Sequence, residues 1–303
     1  MCWGAGPLAK GHRDYVVPFS FFRQTSARRG KNLRTLRRSR LNQPYPPSVV
    51  RIDLNADVGE GATEAAVEAE LALIPYLTSV NVACGGHAGD PGTMRRTVET
   101  ARHHHVSVGA HPGYIDRDSF GRRALSLPLD TVRAMVADQI AALLDVAAAA
   151  QVSVVHVKPH GALYNQAAAD FDLSFAIAEA IRATSPGLTL VGLAGSSLIE
   201  AGRHAGLPVA AEAFVDRAYQ RDGSLVARSH SGAILDRPET AARQALSIAR
   251  DRTVIAIDGS RVAIHADTLC LHGDTAGALA IVRAVRHTLE DAGITIAAPN
   301  TSR

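Results

Sequence analysis

From residue 49 onward, short runs rich in β-branched residues alternate with longer Ala- and Leu-rich stretches, and this alternation restricts the fold more than any other feature. Strands are predicted over 49–57, 79–84, 106–110, 153–158, 188–193, 208–215 and 267–272. Helices are predicted near 63–76, 91–105, 130–150, 171–184, 196–205, 238–250 and 276–291. A helix between two strands carries the chain back so that both strands run the same way. Seven such units favour a closed parallel β/α barrel. A doubly wound open sheet is the alternative, because periodicity does not show whether the first and last strands meet. Segment 223–228 and the pair 253–257 with 261–265 read as an inserted hairpin or edge strands.

The 303 residues are 47% hydrophobic, ample for a large core without disulfides or structural metals. Cys2, Cys84 and Cys270 are scattered and odd in number, which fits neither a disulfide framework nor a paired-cysteine zinc site and points to a reducing cytoplasm. No apolar run approaches the roughly 18 residues of a membrane span, and "VVPFSFF" at 16–22 is too short for a signal peptide. Residues 1–48 hold ten Lys and Arg against one acid, Asp14; this local +9 within a whole-chain +3 leaves −6 for the remainder. The body is therefore mildly acidic, and nucleic-acid binding is expected, if anywhere, only of the tail. With "NQPYPPS" at its end, 1–48 reads as a disordered extension ahead of a single domain at 49–303. Its composition suits a transit peptide, but sequence translated from an over-early start codon is the preferred reading.

Polar residues gather where the strands end, and in parallel β/α folds those ends and the following loops build active sites. In "DLNAD" strand alternation puts Asp53, Asn55 and Asp57 on one face, able to hold a divalent metal, to orient a catalytic base or, alternatively, to form a hydrogen-bonded layer closing the barrel. "NVACGGHAGDP" offers Asn81 and His87, with Asp90 as helix N-cap ahead of Pro91. Cys84 beside His87 reads as a small buried hydrophobe rather than a nucleophile. His111 precedes a loop whose Asp116, Arg117, Arg122 and Arg123 suit anion recognition or a solvated salt-bridge cluster. In "VHVKPHG" Lys158 can polarise a carbonyl or phosphoryl oxygen while His160 transfers protons, and pairing of Lys158 with Asp53 or Asp57 is the structural alternative. Glu212, Asp216 and Arg217 extend the sixth strand; His272 and Asp274 follow the seventh. The run His103, His104, His105 lies at a helix end and is set aside, and "GLAGSS" is a weak anion-site signal.

Together "IDLNADVGEG", "NVACGGHAGDP", "GAHPGYIDRDSFGRR", "VKPHGALYN", "VDRAYQRDGSLVARSHSGA" and "LCLHGD" resemble the LamB/YcsF family from about residue 50 onward. The resemblance implies an irregular seven-stranded β/α barrel related to glycosidase and deacetylase barrels. It further implies one subunit of an ATP-hydrolysing 5-oxoprolinase that works with subunits B and C to open 5-oxo-L-proline to L-glutamate. Within that expectation Lys158 and Arg217 stabilise oxyanion or phosphoryl charge, His160 or His111 moves protons, and Asp53 or Asp57 orients water or the ring N–H. Asn55, Asn81, His87, Arg122, Glu212, Asp216, His272 and Asp274 form the supporting shell. ATP enters as a co-substrate with Mg²⁺; no GxxxxGK[ST] motif is present, so a partner subunit is the expected nucleotide site. Gly86 stands where the family commonly has an aromatic residue, which implies a wider pocket, and Ile115 and Ala227 stand where proline is common. Two other readings compete: a stand-alone metal-dependent deacetylase or amidohydrolase, and a substrate-binding subunit without catalysis.

Overall fold

Seven parallel strands close on themselves in a computed structural model that describes residues 50–275 and 277–299. The strands are β1 (Arg51–Val58), β2 (Ser79–Ala83), β3 (Ser107–His111), β4 (Val154–Val157), β5 (Thr189–Leu193), β6 (Val209–Phe214) and β9 (Thr268–His272). They pair in that order, and β1 pairs with both β2 and β9, with Asp53 opposite Thr268 and Asp57 opposite His272. The sheet is thus a barrel and not a doubly wound open sheet. Two further short strands, β7 (Thr253–Ile255) and β8 (Arg261–Ala263), form the antiparallel hairpin expected at 253–265, and β10 (Thr295–Ile296) pairs in parallel with the start of β1. Segment 223–228 is not a strand: the loop after β6 carries two isolated bridges, Arg217 with Ile234 and Tyr219 with Leu225. The expected extension at 1–48 lies outside the described residues.

Alternation along each strand sorts the interior from the outer core. On β1, Leu54, Ala56 and Val58 point outward and are fully buried under helices, while Asp53, Asn55 and Asp57 point into the barrel. The covering helices are α1 (Glu64–Leu71), α2 (Pro91–His103), α3 (Leu129–Ala149), α4 (Gly161–Ala169), α5 (Phe171–Thr184), α6 (Ser197–His204), α7 (Pro238–Leu246) and α8 (Ala278–Asp291). Ile140 and Leu143 of α3, Ile177 and Ile181 of α5, and Ile281 and Val285 of α8 are wholly buried, each side chain contributing about 1.5–3 kcal/mol. Asp90 caps α2 as expected, accepting from the Gly92 and Thr93 amides at 2.8 and 3.0 Å. Helix α4 was not expected; it starts at Gly161, whose φ of +54° turns the chain straight from β4 into the helix. No helix among the described residues is long and apolar enough to cross a membrane.

Candidate active site

The carboxyl ends of the strands open into a cleft of about 730 Å³ lined by Asp57, His111, Arg122, Lys158, His160, Arg217 and His272, among others. Lys158 stands at its base, 2% exposed, immediately after β4. Its Nζ donates to Asp57 Oδ1 at 2.8 Å and lies 3.0 Å from both Glu212 Oε1 and Cys270 Sγ, 5.1 Å from the centre of the Phe214 ring. Burial works against the ammonium charge, but Asp57, and after it Cys270 and Glu212, outweigh it and hold the lysine protonated well above its ordinary range. Burial likewise pushes the Asp57 carboxyl up, yet His111 and Lys158 keep it well below the usual carboxylate range. Glu212 also accepts from Tyr164 Oη at 2.9 Å and Asn55 Nδ2 at 3.1 Å.

Beside this pair lies a cluster of imidazoles. His111 Nδ1 donates to the Lys158 carbonyl at 2.7 Å, and its Nε2 is 3.4 Å from Asp57 Oδ2 and 3.0 Å from His160 Nδ1. His160 Nε2 donates to the Phe120 carbonyl at 2.9 Å. The rings of His87 and His160 stack at 3.6 Å with an angle of 2°. Glu60 Oε1 lies 2.9 Å from His87 Nε2, 3.1 Å from His160 Nδ1 and 3.6 Å from His111 Nε2. One carboxylate and three imidazoles are a donor set able to hold a metal ion. Burial moves His87 down to about 4.

A separate polar layer fills the barrel further toward the amino ends of the strands. Asp53 accepts from Thr78 Oγ1 at 2.6 Å, Ser79 Oγ at 2.7 Å and Thr268 Oγ1 at 2.5 Å, and burial raises its carboxyl above the ordinary value. His156 Nε2 donates to Asn81 Oδ1 at 2.8 Å, and burial lowers this histidine to about 3. Gly109 makes room for it, since a Cβ there would meet His156 Nε2 at 2.0 Å. Asn81 joins the layers, its Nδ2 donating to Asn55 Oδ1 and to Asp57 Oδ1, both at 2.8 Å.

Asp57, His111, Lys158, His160, Arg217, Arg122 and His272 therefore meet at one cleft, with Glu212, Asn55 and Asn81 beneath it. At the rim Arg122 Nη2 pairs with Asp274 Oδ2 at 2.5 Å, while Asp216 is buried and accepts from His272 Nδ1 at 3.0 Å. Arg217 lines the wall but donates to the Val226 carbonyl at 2.6 Å, and burial lowers it to about 10, so it also ties down the loop after β6. Two expectations are corrected. Asp53 shares the inward face of β1 but not the cleft; it borders a small cavity of about 60 Å³ in the lower layer, and its neighbours are hydroxyls. Gly86 does not widen the cleft, because the Gln139 side chain fills that space and would stand 2.3 Å from a Cβ at 86. Of the two carboxylates expected as possible partners, Lys158 takes Asp57. Cys84 is buried, its thiol pushed up to about 12, as befits a small hydrophobe. Glu60 was missed: it follows β1 between glycines and reads locally as a solvated loop acid, though only 6% of it is exposed.

Comparison with known proteins gives relatives over nearly their whole length. The chain is 51% identical over 251 residues to the 5-oxoprolinase A subunit of Chloroflexus aggregans, covering 83% of this chain and 100% of the relative. It is 49% identical to the protein of that name in Chloroflexus aurantiacus, covering 83% and 99%. The crystal structure of the lactam utilization protein of Thermus thermophilus superimposes with a TM-score of 0.77 at 45% identity, covering 82% of this chain and 99% of that one. Residues 52–303 match the LamB/YcsF family. With the closed barrel and the strand-end motifs gathered around one cleft, the chain belongs to the LamB/YcsF family.

Proposed function

We propose that this chain is the A subunit of an ATP-hydrolysing 5-oxoprolinase and that its cleft binds 5-oxo-L-proline for ring opening to L-glutamate. The observation that carries this reading is the buried Lys158–Asp57 pair at the floor of the cleft, in a chain 51% identical to a relative bearing that name. A five-membered lactam is a poor electrophile, because amide resonance must be lost before water adds to its carbonyl carbon. Transfer of the ATP γ-phosphoryl group to the lactam oxygen removes that resonance, which is why the reaction needs ATP with its Mg²⁺. Lys158, held charged, stabilises negative charge at the lactam or phosphoryl oxygen, with Arg217 on the same wall. Asp57, held ionised, accepts a proton from water or the ring N–H. Subunits B and C complete the enzyme, and the nucleotide site is assigned to them. A supply of ATP places the reaction in the cytoplasm.

The test is glutamate formation from 5-oxoproline by the purified chain, with and without ATP and with and without subunits B and C. Turnover needing ATP and all three proteins is expected; no turnover in the complete, folded mixture overturns the reading. The Glu60–imidazole cluster favours a second reading, a stand-alone metal-dependent amidohydrolase, which requires amide hydrolysis by this chain without ATP.

A further inference from the structure

Glu60 Oε1, His87 Nε2, His111 Nε2 and His160 Nδ1 all lie within 4.8 Å of one another, brought together from the ends of four successive strands. All four residues are buried, none more than 6% exposed. Two backbone carbonyls settle the protons of two of the rings. A carbonyl only accepts, so His111 carries its proton on Nδ1, against Lys158 O, and His160 carries its proton on Nε2, against Phe120 O. His111 Nε2 and His160 Nδ1 then face each other at 3.0 Å with a lone pair apiece, and both also face the Glu60 carboxylate. Lys158 is engaged elsewhere, by Asp57, Glu212 and Cys270. His87 can relieve only Glu60, by a proton on Nε2, and not the facing lone pairs of His111 and His160; its other nitrogen, Nδ1, is buried without a partner. Several lone pairs thus converge on a point where only an added proton or a cation can neutralise them.

We infer that Glu60, His87, His111 and His160 bind one divalent first-row transition cation of the Zn²⁺ class. Three imidazoles with one carboxylate suit such an ion, whereas Mg²⁺ and Ca²⁺ take oxygen ligands. Four ligands at about 2.1 Å from a tetrahedral ion stand roughly 3.4 Å apart. The close pairs in this cluster, at 2.9, 3.0, 3.1 and 3.6 Å, need to shift by only a few tenths of an ångström. The carbonyls behind His111 and His160 supply the outer hydrogen bonds that fix the tautomer and orientation of metal-bound imidazoles. Both rings line the cleft, so the ion is reached from the side on which substrate enters. As ligands, these two histidines have no nitrogen left for proton transfer, and that task falls to Asp57, whose Oδ2 is 3.4 Å from His111 Nε2. The assignment concerns what the cluster binds and does not depend on the lactam reading.

The test uses the full-length, untagged chain purified without chelator, with elemental analysis followed by Co²⁺ titration of the chelator-stripped protein. About one equivalent of transition metal and a saturable d–d absorption are expected, and His87→Ala and Glu60→Gln should each weaken Co²⁺ binding by more than about 100-fold, beyond the loss caused by removing an outer partner. A folded wild-type chain that takes up no Co²⁺ overturns the assignment, and so does uptake that both variants leave unchanged. Should the variants not fold, the stripped wild type decides: its melting temperature rises with added Zn²⁺ if the ion binds, and stays fixed if a shared proton holds the cluster. None of these readouts requires turnover, so failure of 5-oxoproline hydrolysis leaves them intact.

Discussion

Asp53 and Asp57 lie on the same strand and the same face, yet their surroundings give them opposite characters. Four residues of strand separate them by about 13 Å, enough to put them in different layers of the barrel. Asp53 is ringed by the hydroxyls of Thr78, Ser79 and Thr268, and burial raises its carboxyl. Asp57 pairs with the Lys158 ammonium at 2.8 Å and is held ionised. Neutral donors satisfy a buried acid and rigidify the barrel; cations keep a buried acid charged and available to a substrate. The lower layer is a polar seam, the upper one a reactive floor.

The largest expected effect comes from removing the cation of the upper layer. Lys158→Ala strands Asp57 and Glu212 in the interior, so turnover by the assembled enzyme should fall by at least about 10²–10³ and stability by about 3–5 kcal/mol. Steady-state rates and urea melts measure both, and near-normal turnover would erase the distinction between the layers. Next is the pH dependence of the lower layer. His156 titrates near 3 in the folded chain against 6.5 when free, so it adds protons on unfolding; its contribution is fully present above about pH 6.5 and is lost as pH falls toward 3. The loss should reach a few kcal/mol. In thermal melts from pH 7 to 4, His156→Gln should flatten this decline while keeping a donor to Asn81. A parallel decline in both proteins would assign it to other groups. Asp53→Ala should cost about 1–3 kcal/mol through unpaired hydroxyls, with kcat of the folded enzyme within a few-fold of wild type. Loss of activity without loss of stability would move Asp53 into the site. The smallest effect is at the rim, where Arg122→Ala breaks a half-exposed pair with Asp274 and should change stability by no more than about 0.5–1 kcal/mol, any rise in KM reporting its contact with substrate.

The inward face of β1 was legible because alternation at period two is a local property of the chain, and so were the seven strands and the polar ends that carry His111, Lys158 and His272. Depth was not legible. Alternation groups Asp53, Asn55 and Asp57 on a face but does not say where the barrel floor lies, which depends on Thr268 and Ser79 arriving from other strands. Glu60 was hidden for the same reason: its burial comes from His87, His111 and His160, up to 100 residues away, and nothing between Gly59 and Gly61 signals it. Helix α4 escaped because nine residues without a side-chain cap give little periodicity. Gln139, buried on α3, fills the space beside Gly86, and nothing in the local sequence marks it for that place.

Closure between β1 and β9 also sets when the molecule becomes whole. Asp53 and Thr268 are 215 positions apart, so during synthesis at roughly 5–20 residues per second β1 emerges about 10–40 s before the strand that seals the barrel. Asp57 and Lys158 can already meet in that interval, but Cys270 and His272 have not been made, and β1 presents an unpaired row of amides and carbonyls. The nascent protein is a curled sheet with an adhesive border, vulnerable to pairing with its neighbours on the same polysome. The strand that completes the floor of the cleft is the same one that ends this exposure.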